Sequence, residues 1–188
     1  TDLKEILLTI EQHNFLKHIP NVINRFWDMF IVDAFIGNPD RNNGNWGILA
    51  NGNKRELAPV FDNGACFYPK KSTLAIQQLL QLPEADQARN NSNIQEPFTL
   101  DGEHHLNYKT MLELDETKIP GVQVKLLKDA VEKNIALVDK NLNTIVDFIK
   151  SIPNEHNGYE IITEPRREYY LKSFITRFED VLKRGNGK

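Results

Sequence analysis

Cysteine is nearly absent from the sequence, since Cys66 is the only one in 188 residues. A single thiol excludes a disulfide framework within the chain and is typical of proteins that fold in a reducing compartment. Long apolar runs are also missing, because no stretch approaches the roughly 20 consecutive apolar residues that a membrane-spanning helix needs. We therefore predict a cytoplasmic protein without a membrane span.

An excess of positive charge is lacking as well. The 23 basic and 26 acidic side chains give a formal net charge of −3. Proteins that bind nucleic acid by broad electrostatic attraction carry an excess of Lys and Arg, so no direct binding to nucleic acid is expected. Hydrophobic residues make up 40% of the chain, which is ordinary for a globular protein. The length predicts a single domain over residues 1–188.

Apolar residues that recur at three- and four-residue steps predict a mainly α-helical chain. The strongest pattern covers residues 21–36, which are apolar around so much of the helix that it belongs in the core. A polar, Asn-rich stretch over residues 84–95 predicts a loop. Further helices are predicted over five ranges: 3–18, 73–82, 107–114, 122–149 and 165–183.

Turn-forming residues dominate the chain that follows the buried helix. Gly37-Asn38-Pro39-Asp40 is expected to end that helix abruptly. Two short apolar segments, 46–50 and 56–61, flank the turn signal Asn51-Gly52-Asn53, and together they predict a small β-hairpin. Asp62-Asn63-Gly64 then follows as another turn.

Acidic and amide side chains on the two sides of this hairpin have the spacing of a phosphoryl-transfer site. Such a site needs a carboxylate that orients the attacking hydroxyl and accepts its proton, and oxygen ligands for the Mg²⁺ that bridges the phosphates. In protein kinases an Asn follows the catalytic Asp within one loop, and a metal-binding Asp comes later in the chain. Asp40 and Asn45 have the spacing of this loop, and Asp62 follows the hairpin.

The same residue types also build ordinary loops, because Asp, Asn and Gly are the commonest turn formers. An isolated Asp-x-x-x-x-Asn pattern is more often a loop than a site. Here a buried helix precedes the pattern, and a hairpin and a turn follow it, so we favour the phosphotransferase interpretation. Gly44 and Gly64 are expected to adopt backbone conformations that a side chain would forbid.

Two segments resemble the motifs of known kinases. Asn-Pro-Asp-Arg-Asn-Asn-Gly-Asn-Trp-Gly-Ile at 38–48 and Leu-Ala-Pro-Val-Phe-Asp-Asn-Gly at 57–64 resemble those of HipA-like kinases. These are bacterial serine/threonine kinases, often the toxin of a toxin–antitoxin pair. The segments are also similar to motifs of phosphatidylinositol 3/4-kinase relatives. Both resemblances imply a mainly α fold with a small β-hairpin, the C-terminal lobe of a protein-kinase-like structure, and they imply different substrates.

The resemblance to these kinases also implies roles for single residues. Asp40 would be the catalytic base. Arg41 beside it would either steady the loop or contact a phosphate, and an equally open alternative is a surface arginine that caps the loop. Asn45 and Asp62 would bind Mg²⁺ and, through it, ATP. The floor below the nucleotide would be formed by the residues after Asn45, namely Trp46, Gly47 and Ile48.

The resemblance leaves part of a kinase unaccounted for. A Gly-rich phosphate loop and a strand lysine are required by kinases, and neither is found before residue 22. We therefore expect residues 1–188 to be a C-terminal lobe without the N-terminal nucleotide-binding lobe, and to be inactive in isolation. The expected substrate is a protein Ser or Thr, with an antitoxin as candidate partner. A lipid or small-molecule kinase and a non-catalytic lobe that binds proteins remain alternatives.

Three further side chains have more than one interpretation. Lys70 and Lys71 follow the second motif and form either a solvated turn or a basic surface that attracts an acidic substrate or a phosphate. Cys66 lies next to an apolar stretch without a neighbouring His in the sequence, so it is expected to be buried rather than nucleophilic.

Overall fold

Helices dominate the computed structural model, which describes residues 2–42, 44–87, 95–100, 102 and 105–183. The α-helices are α1 (Leu3–Gln12), α2 (Val22–Ile36), α3 (Thr73–Leu80), α4 (Tyr108–Leu112), α5 (Gly121–Ser151) and α6 (Glu164–Arg177). A 3-10 helix (Leu16–His18) follows α1, and a π-helix (Phe178–Lys183) continues α6. The antiparallel strand pairs are β1 (Ile48–Asn51) with β2 (Lys54–Leu57), β3 (Gln95–Thr99) with β4 (His105–Asn107), and β5 (Glu155–His156) with β6 (Tyr159–Glu160).

Helix α2 lies in the core, as its apolar pattern predicts. Phe26, Trp27 and Phe30 are each at most 2% exposed. The rings of Phe26 and Phe30 pack against the ring of Phe98, with centroids 6.1 and 6.0 Å away. The helix ends at Gly37, whose φ of 64° is the left-handed conformation that commonly terminates helices. The loop that carries Asp40 therefore starts from a firmly packed element.

Helix α5 packs along α2 and is tied to it by polar contacts. The indole Nε1 of Trp27 donates to Oε1 of Gln123 at 2.9 Å. Asp28 accepts from Lys133 Nζ at 2.5 Å and from Asn134 Nδ2 at 3.1 Å. The predicted apolar face of α5 is buried in its N-terminal half, whereas its C-terminal half is only partly covered.

The C-terminal helices close the core from the other side. Thr163 caps α6 by accepting from the backbone N–H of Arg166. Phe174 and Phe178 pack with their rings against Phe35 of α2. The predicted helix over 165–183 is present, but its last turns are π-helical. Among the described residues, no helix is both long enough and apolar enough to span a membrane.

The predicted β-hairpin is confirmed, with Asn51 paired to Lys54 across the turn and Ile48 paired to Leu57. The two further strand pairs were not predicted. For β5 and β6 the sequence contained a signal, because Asn-Gly is a preferred two-residue hairpin turn. In the structure Asn157 and Gly158 have the positive φ values that such a turn requires, 53° and 81°. Helix α1 stops at Gln12 and does not continue to residue 18. Within the predicted loop over 84–95, residues 88–94 lie outside the described residues.

Candidate active site

A buried ion pair joins the candidate catalytic loop to helix α2. Nε of Arg41 donates to Oδ2 of Asp33 at 2.7 Å, and Nη2 donates to Oδ1 at 2.8 Å. Both residues are 1% exposed. Burial alone would lower the pKa of Arg41, but its hydrogen bonds and its attraction to Asp33 outweigh that effect and raise the pKa above its ordinary value. The guanidinium is therefore a permanent cation held at the end of α2.

The remaining donors of Arg41 reach both loops that flank the hairpin. Nη1 donates to the backbone oxygen of Asn45 at 3.0 Å and to that of Phe61 at 2.6 Å. Nη2 also donates to Oδ1 of Asn63 at 2.6 Å. One side chain thus holds the backbone of residue 45 close to the residues on both sides of Asp62. Arg41 is not the surface arginine that was left open as an alternative, because it is buried. Of the two remaining roles, these contacts support steadying the loop over contacting a phosphate.

Asp40 has a restrained backbone and an exposed side chain. Its N–H donates to Oδ1 of Asn38 at 3.2 Å. Its carbonyl oxygen accepts from Nδ2 of Asn42 at 3.1 Å and from Nδ2 of Asn45 at 2.8 Å. Asn38 is fully buried and is itself bonded to Asp33 Oδ1 at 3.0 Å. The carboxylate of Asp40 is therefore presented to solvent from a fixed loop, as a catalytic base requires.

The donor set of Asn45 and Asp62 fits Mg²⁺ better than a transition metal. The hydrogen bond of Asn45 uses its amide nitrogen, which leaves the amide oxygen for another partner. Asp62 supplies an exposed carboxylate. Among the described residues there is no cluster of three or more His, Cys, Asp or Glu side chains that could hold a metal ion. Mg²⁺ is commonly bound by one or two carboxylates together with substrate phosphates, which this arrangement resembles.

The backbone at Asp62 differs from the expectation for this turn. Asp62 itself has a φ of 58°, in the left-handed region, whereas Gly44 and Gly64 do not have positive φ. The prediction that these two glycines provide unusual backbone conformations is therefore wrong. Gly44 has a different constraint, since a Cβ there would lie 3.1 Å from Oδ1 of Asn42, which accepts from the N–H of residue 44. Left-handed backbone at a non-Gly residue is uncommon and often found at functional positions.

Two cavities adjoin the catalytic loop and share none of their described lining residues. One of about 450 Å³ is lined by Trp46, Gly47 and Ile48 together with residues of α1 and the 3-10 helix. The other, of about 460 Å³, contains Asp40 in its wall. The resemblance to kinases implies that the nucleotide lies over the first set of residues and that the reacting hydroxyl lies at Asp40.

Cys66 lies close to this site without the properties of a nucleophile. Burial, with a further contribution from the negative charge of Asp33, raises the pKa of the Cys66 thiol to about 12. The thiolate that acts as nucleophile is therefore scarce at neutral pH. The thiol is half-buried, in line with the expectation for Cys66.

The sequence analysis missed the residues that support the site. Asp33, Asn38 and Tyr108 are all buried, and the hydroxyl of Tyr108 donates to the backbone oxygen of Asn38 at 2.5 Å. A signal existed for Asp33, because it interrupts the apolar pattern of α2 at a core position where a charge needs a partner. The pairing of Tyr108 with a loop 70 positions earlier had no signal in the sequence.

Comparisons with known proteins point to a kinase-like fold, although no family model matches the chain. A curated Helicobacter pylori protein named serine/threonine-protein kinase CtkA is 36% identical over 115 residues, which are 60% of this chain and 35% of that protein. The crystal structure of a Helicobacter pylori proinflammatory kinase, CtkA, matches with a TM-score of 0.81 and 26% identity, over 100% of this chain and 60% of that chain. The chain spans about a third of the length of its curated relative.

The structural match confirms the predicted fold class. The chain is mainly α-helical with small antiparallel sheets, and it shares the kinase-like fold of CtkA along its whole length. This mainly helical secondary structure with small sheets is consistent with the C-terminal lobe of a kinase, as predicted.

Proposed function

We propose that this chain is the C-terminal lobe of a kinase that transfers the γ-phosphoryl group of ATP to a Ser or Thr hydroxyl of a protein. The observation that carries the proposal is the exposed carboxylate of Asp40, held by a hydrogen-bonded loop at the wall of an open cavity. Similarity to a serine/threonine-protein kinase supports the reaction class and favours a protein acceptor over a lipid.

Each residue of the site has a role in this reaction. Asp40 orients the acceptor hydroxyl and takes its proton while the oxygen bonds to the γ-phosphorus and ADP leaves. Asn45 and Asp62 would hold Mg²⁺, which neutralises charge on the phosphate oxygens when it is bound. Trp46 and Ile48 would support the nucleotide from below. Arg41 acts as a positioning residue, because its guanidinium bonds to both loops. It is not among the described residues that line the cavity with Asp40.

Three finer assignments belong to the same proposal. An N-terminal lobe outside residues 1–188 would supply the phosphate-covering loop and the lysine, so the isolated chain would be inactive. The HipA-like subtype, and with it an antitoxin partner, rests on the motifs at 38–48 and 57–64. A cytoplasmic location is part of the proposal, and the single cysteine supports it.

Substitution of Asp40 tests the proposal in the complete protein that contains this chain. Asp40→Asn keeps the shape of the side chain but cannot accept a proton, so we expect kcat to fall by about a hundred- to ten-thousand-fold with a smaller change in KM. The melting temperature should stay unchanged, because the carboxylate is exposed and the loop is held through backbone atoms. The measurement is phosphoryl transfer from labelled ATP, together with thermal unfolding.

The matched control is Asp129→Asn, which removes an exposed carboxylate from helix α5, where Asp129 pairs with Lys125 at the surface. It should transfer phosphate like the wild type. If Asp40→Asn also retained the wild-type rate, Asp40 would be an ordinary turn residue and the proposed reaction would lose its base.

A further inference from the structure

The cavity next to Asp40 has a basic wall. Besides Pro39 and Asp40, its lining includes Tyr68, Lys70 and Lys71. Its volume of about 460 Å³ is enough for several side chains of a bound segment. The two lysines therefore adjoin the space in which, on the proposed function, the acceptor hydroxyl must approach Asp40.

The turn that carries the lysines is fixed by its neighbours. The N–H of Lys71 donates to the backbone oxygen of Tyr68 at 3.1 Å, which closes the turn. Arg166 of helix α6 donates to the backbone oxygens of Lys71 and Tyr68. The ammonium of Lys71 also lies 4.9 Å from the centroid of the Tyr68 ring. The backbone of this turn is thus held in place, and the ammonium of Lys71 has a contact within the cavity wall, which favours a basic surface over a solvated turn.

The charge of this wall is opposite to that of the catalytic group. Lys70 and Lys71 place two positive charges in the wall of the cavity that also contains Asp40. A bound segment with acidic side chains would be attracted by the lysines, and a segment with basic side chains would be repelled. Lys70 is exposed and Lys71 half-buried, so each keeps its ammonium within reach of a ligand.

We infer that this cavity binds the acceptor segment of the substrate and that the substrate is a polypeptide with acidic side chains next to its Ser or Thr. Lys70 and Lys71 bind those acidic side chains. The inference rests on the proposed function, because it takes Asp40 as the group that receives the acceptor hydroxyl. It adds the substrate class, which neither Asp40 nor the metal ligands determine.

Three peptides that differ only beside one serine test this inference, with Glu, Gln or Lys at the flanking positions. Transfer by the complete protein should have the highest kcat/KM for the Glu peptide and the lowest for the Lys peptide. Preference is measured as kcat/KM for the Glu peptide divided by kcat/KM for the Gln peptide. Exposed ion pairs contribute modestly to binding, so Lys70→Gln/Lys71→Gln should lower this ratio by about tenfold. Lys70→Glu/Lys71→Glu should reverse the preference towards the Lys peptide, a result that a merely damaged cavity would not give.

The matched control is Lys128→Gln/Lys140→Gln, which removes two exposed charges from helix α5 and should leave the ratio unchanged. A second measurement does not depend on catalysis: fluorescence anisotropy of the labelled peptides with residues 1–188. The Glu peptide should bind more tightly than the Gln peptide and should weaken with added salt, because salt shortens the range of charge attraction.

The outcomes separate the inference from the proposed function. If the Glu peptide bound more tightly in a manner that depends on the lysines, but no phosphoryl transfer occurred, the inferred peptide binding would be supported and the proposed kinase activity would be overturned. Transfer with equal kcat/KM for all three peptides, or with equal ratios in the wild type and the lysine variants, would overturn the inference and leave the kinase in place.

Discussion

Arg41 is the residue through which helix α2 and the two loops around the hairpin are joined. Its guanidinium contacts Asp33 in the helix, the backbone of Asn45 in one loop, and the backbone of Phe61 in the other. A buried ion pair adds little net stability compared with a well-packed apolar pair, because both ions lose hydration. What Arg41 does provide is geometry, since it fixes the backbone beside both candidate metal ligands.

Removing Arg41 alone should destabilise the protein strongly. Arg41→Leu leaves the carboxylate of Asp33 buried without its cation, so we expect the free energy of unfolding to fall by about 3–5 kcal/mol. The double variant Asp33→Leu/Arg41→Leu removes both charges and should regain most of that stability. Its phosphoryl transfer should remain low, because the donors to Asn45 and Phe61 are lost. Urea unfolding and transfer kinetics measure the two effects separately.

The control for this comparison is Arg55→Leu, because Arg55 is an exposed arginine in β2. Its free energy of unfolding should change by less than about 0.5 kcal/mol. A double variant that folds stably and also transfers phosphate at the wild-type rate would show that Arg41 has no positioning role.

Residue spacing predicted the loops of the site better than their support. Asp40, Asn45 and Asp62 were singled out because loop residues keep their chemistry and spacing in the sequence itself. Asp33 was missed although its charge interrupts the apolar pattern of α2. Tyr108 was missed because its contact with Asn38 joins residues 70 positions apart along the chain. Such contacts depend on how the helices pack, and a single sequence does not encode them in any local pattern.

At the scale of elements, the C-terminal end of α2 is bound by Arg177 of helix α6. Its Nε donates to the backbone oxygen of Phe35 at 2.9 Å, and Nη2 donates to that of Ala34. These are carbonyls of the last turn of α2, which have no partner within their own helix. Burial lowers the pKa of Arg177 to about 10, which remains far enough above neutrality for the side chain to stay charged. A cation at a helix C-terminus also complements the helix dipole.

Replacing Arg177 should therefore loosen the end of α2. Arg177→Met keeps most of the side-chain volume but leaves the carbonyls of Ala34 and Phe35 without this donor. We expect the free energy of unfolding to fall by about 2 kcal/mol, the scale of an unsatisfied buried polar group. Lys172→Met, an exposed position on the same helix, is the control and should change stability little. If both variants unfolded at the same urea concentration, Arg177 would not be needed to cap α2.

Element types were predicted more reliably than element ends. Helix α2 and the hairpin at 48–57 were found because their apolar and turn patterns are strong and local. Helix α1 was predicted too long, since the apolar residues after Gln12 continue as a 3-10 turn. The sequence of the strand pair at 95–107 shows no clear alternation of apolar and polar residues, and the pairing of the two strands is irregular in register. Short edge pairs of this kind depend on the surface they cover rather than on their own sequence.

At the scale of the whole molecule, the proposed function makes the cavity at Trp46 and Ile48 the floor below the nucleotide. The described residues that line the cavity at Trp46 and Ile48 include Glu5, Thr9 and His13. In kinases, affinity for ATP depends on a lysine and a Gly-rich loop on the phosphates, which this proposal assigns to a lobe outside residues 1–188. On this proposal, the floor alone would supply apolar contact from one side and two candidate metal ligands.

Residues 1–188 alone should therefore bind Mg-ATP weakly, with a Kd of about 1 mM or higher. This Kd corresponds to a binding free energy of roughly 4 kcal/mol. The longer protein should bind in the micromolar range, because contacts from both sides then surround the phosphates. Isothermal titration calorimetry on both forms measures the difference. Ile48→Asp, which places a charge in the proposed floor, should weaken binding by the longer protein and serves as the site control. Micromolar affinity in residues 1–188 alone would mean that this lobe holds ATP by itself and that no second lobe is needed.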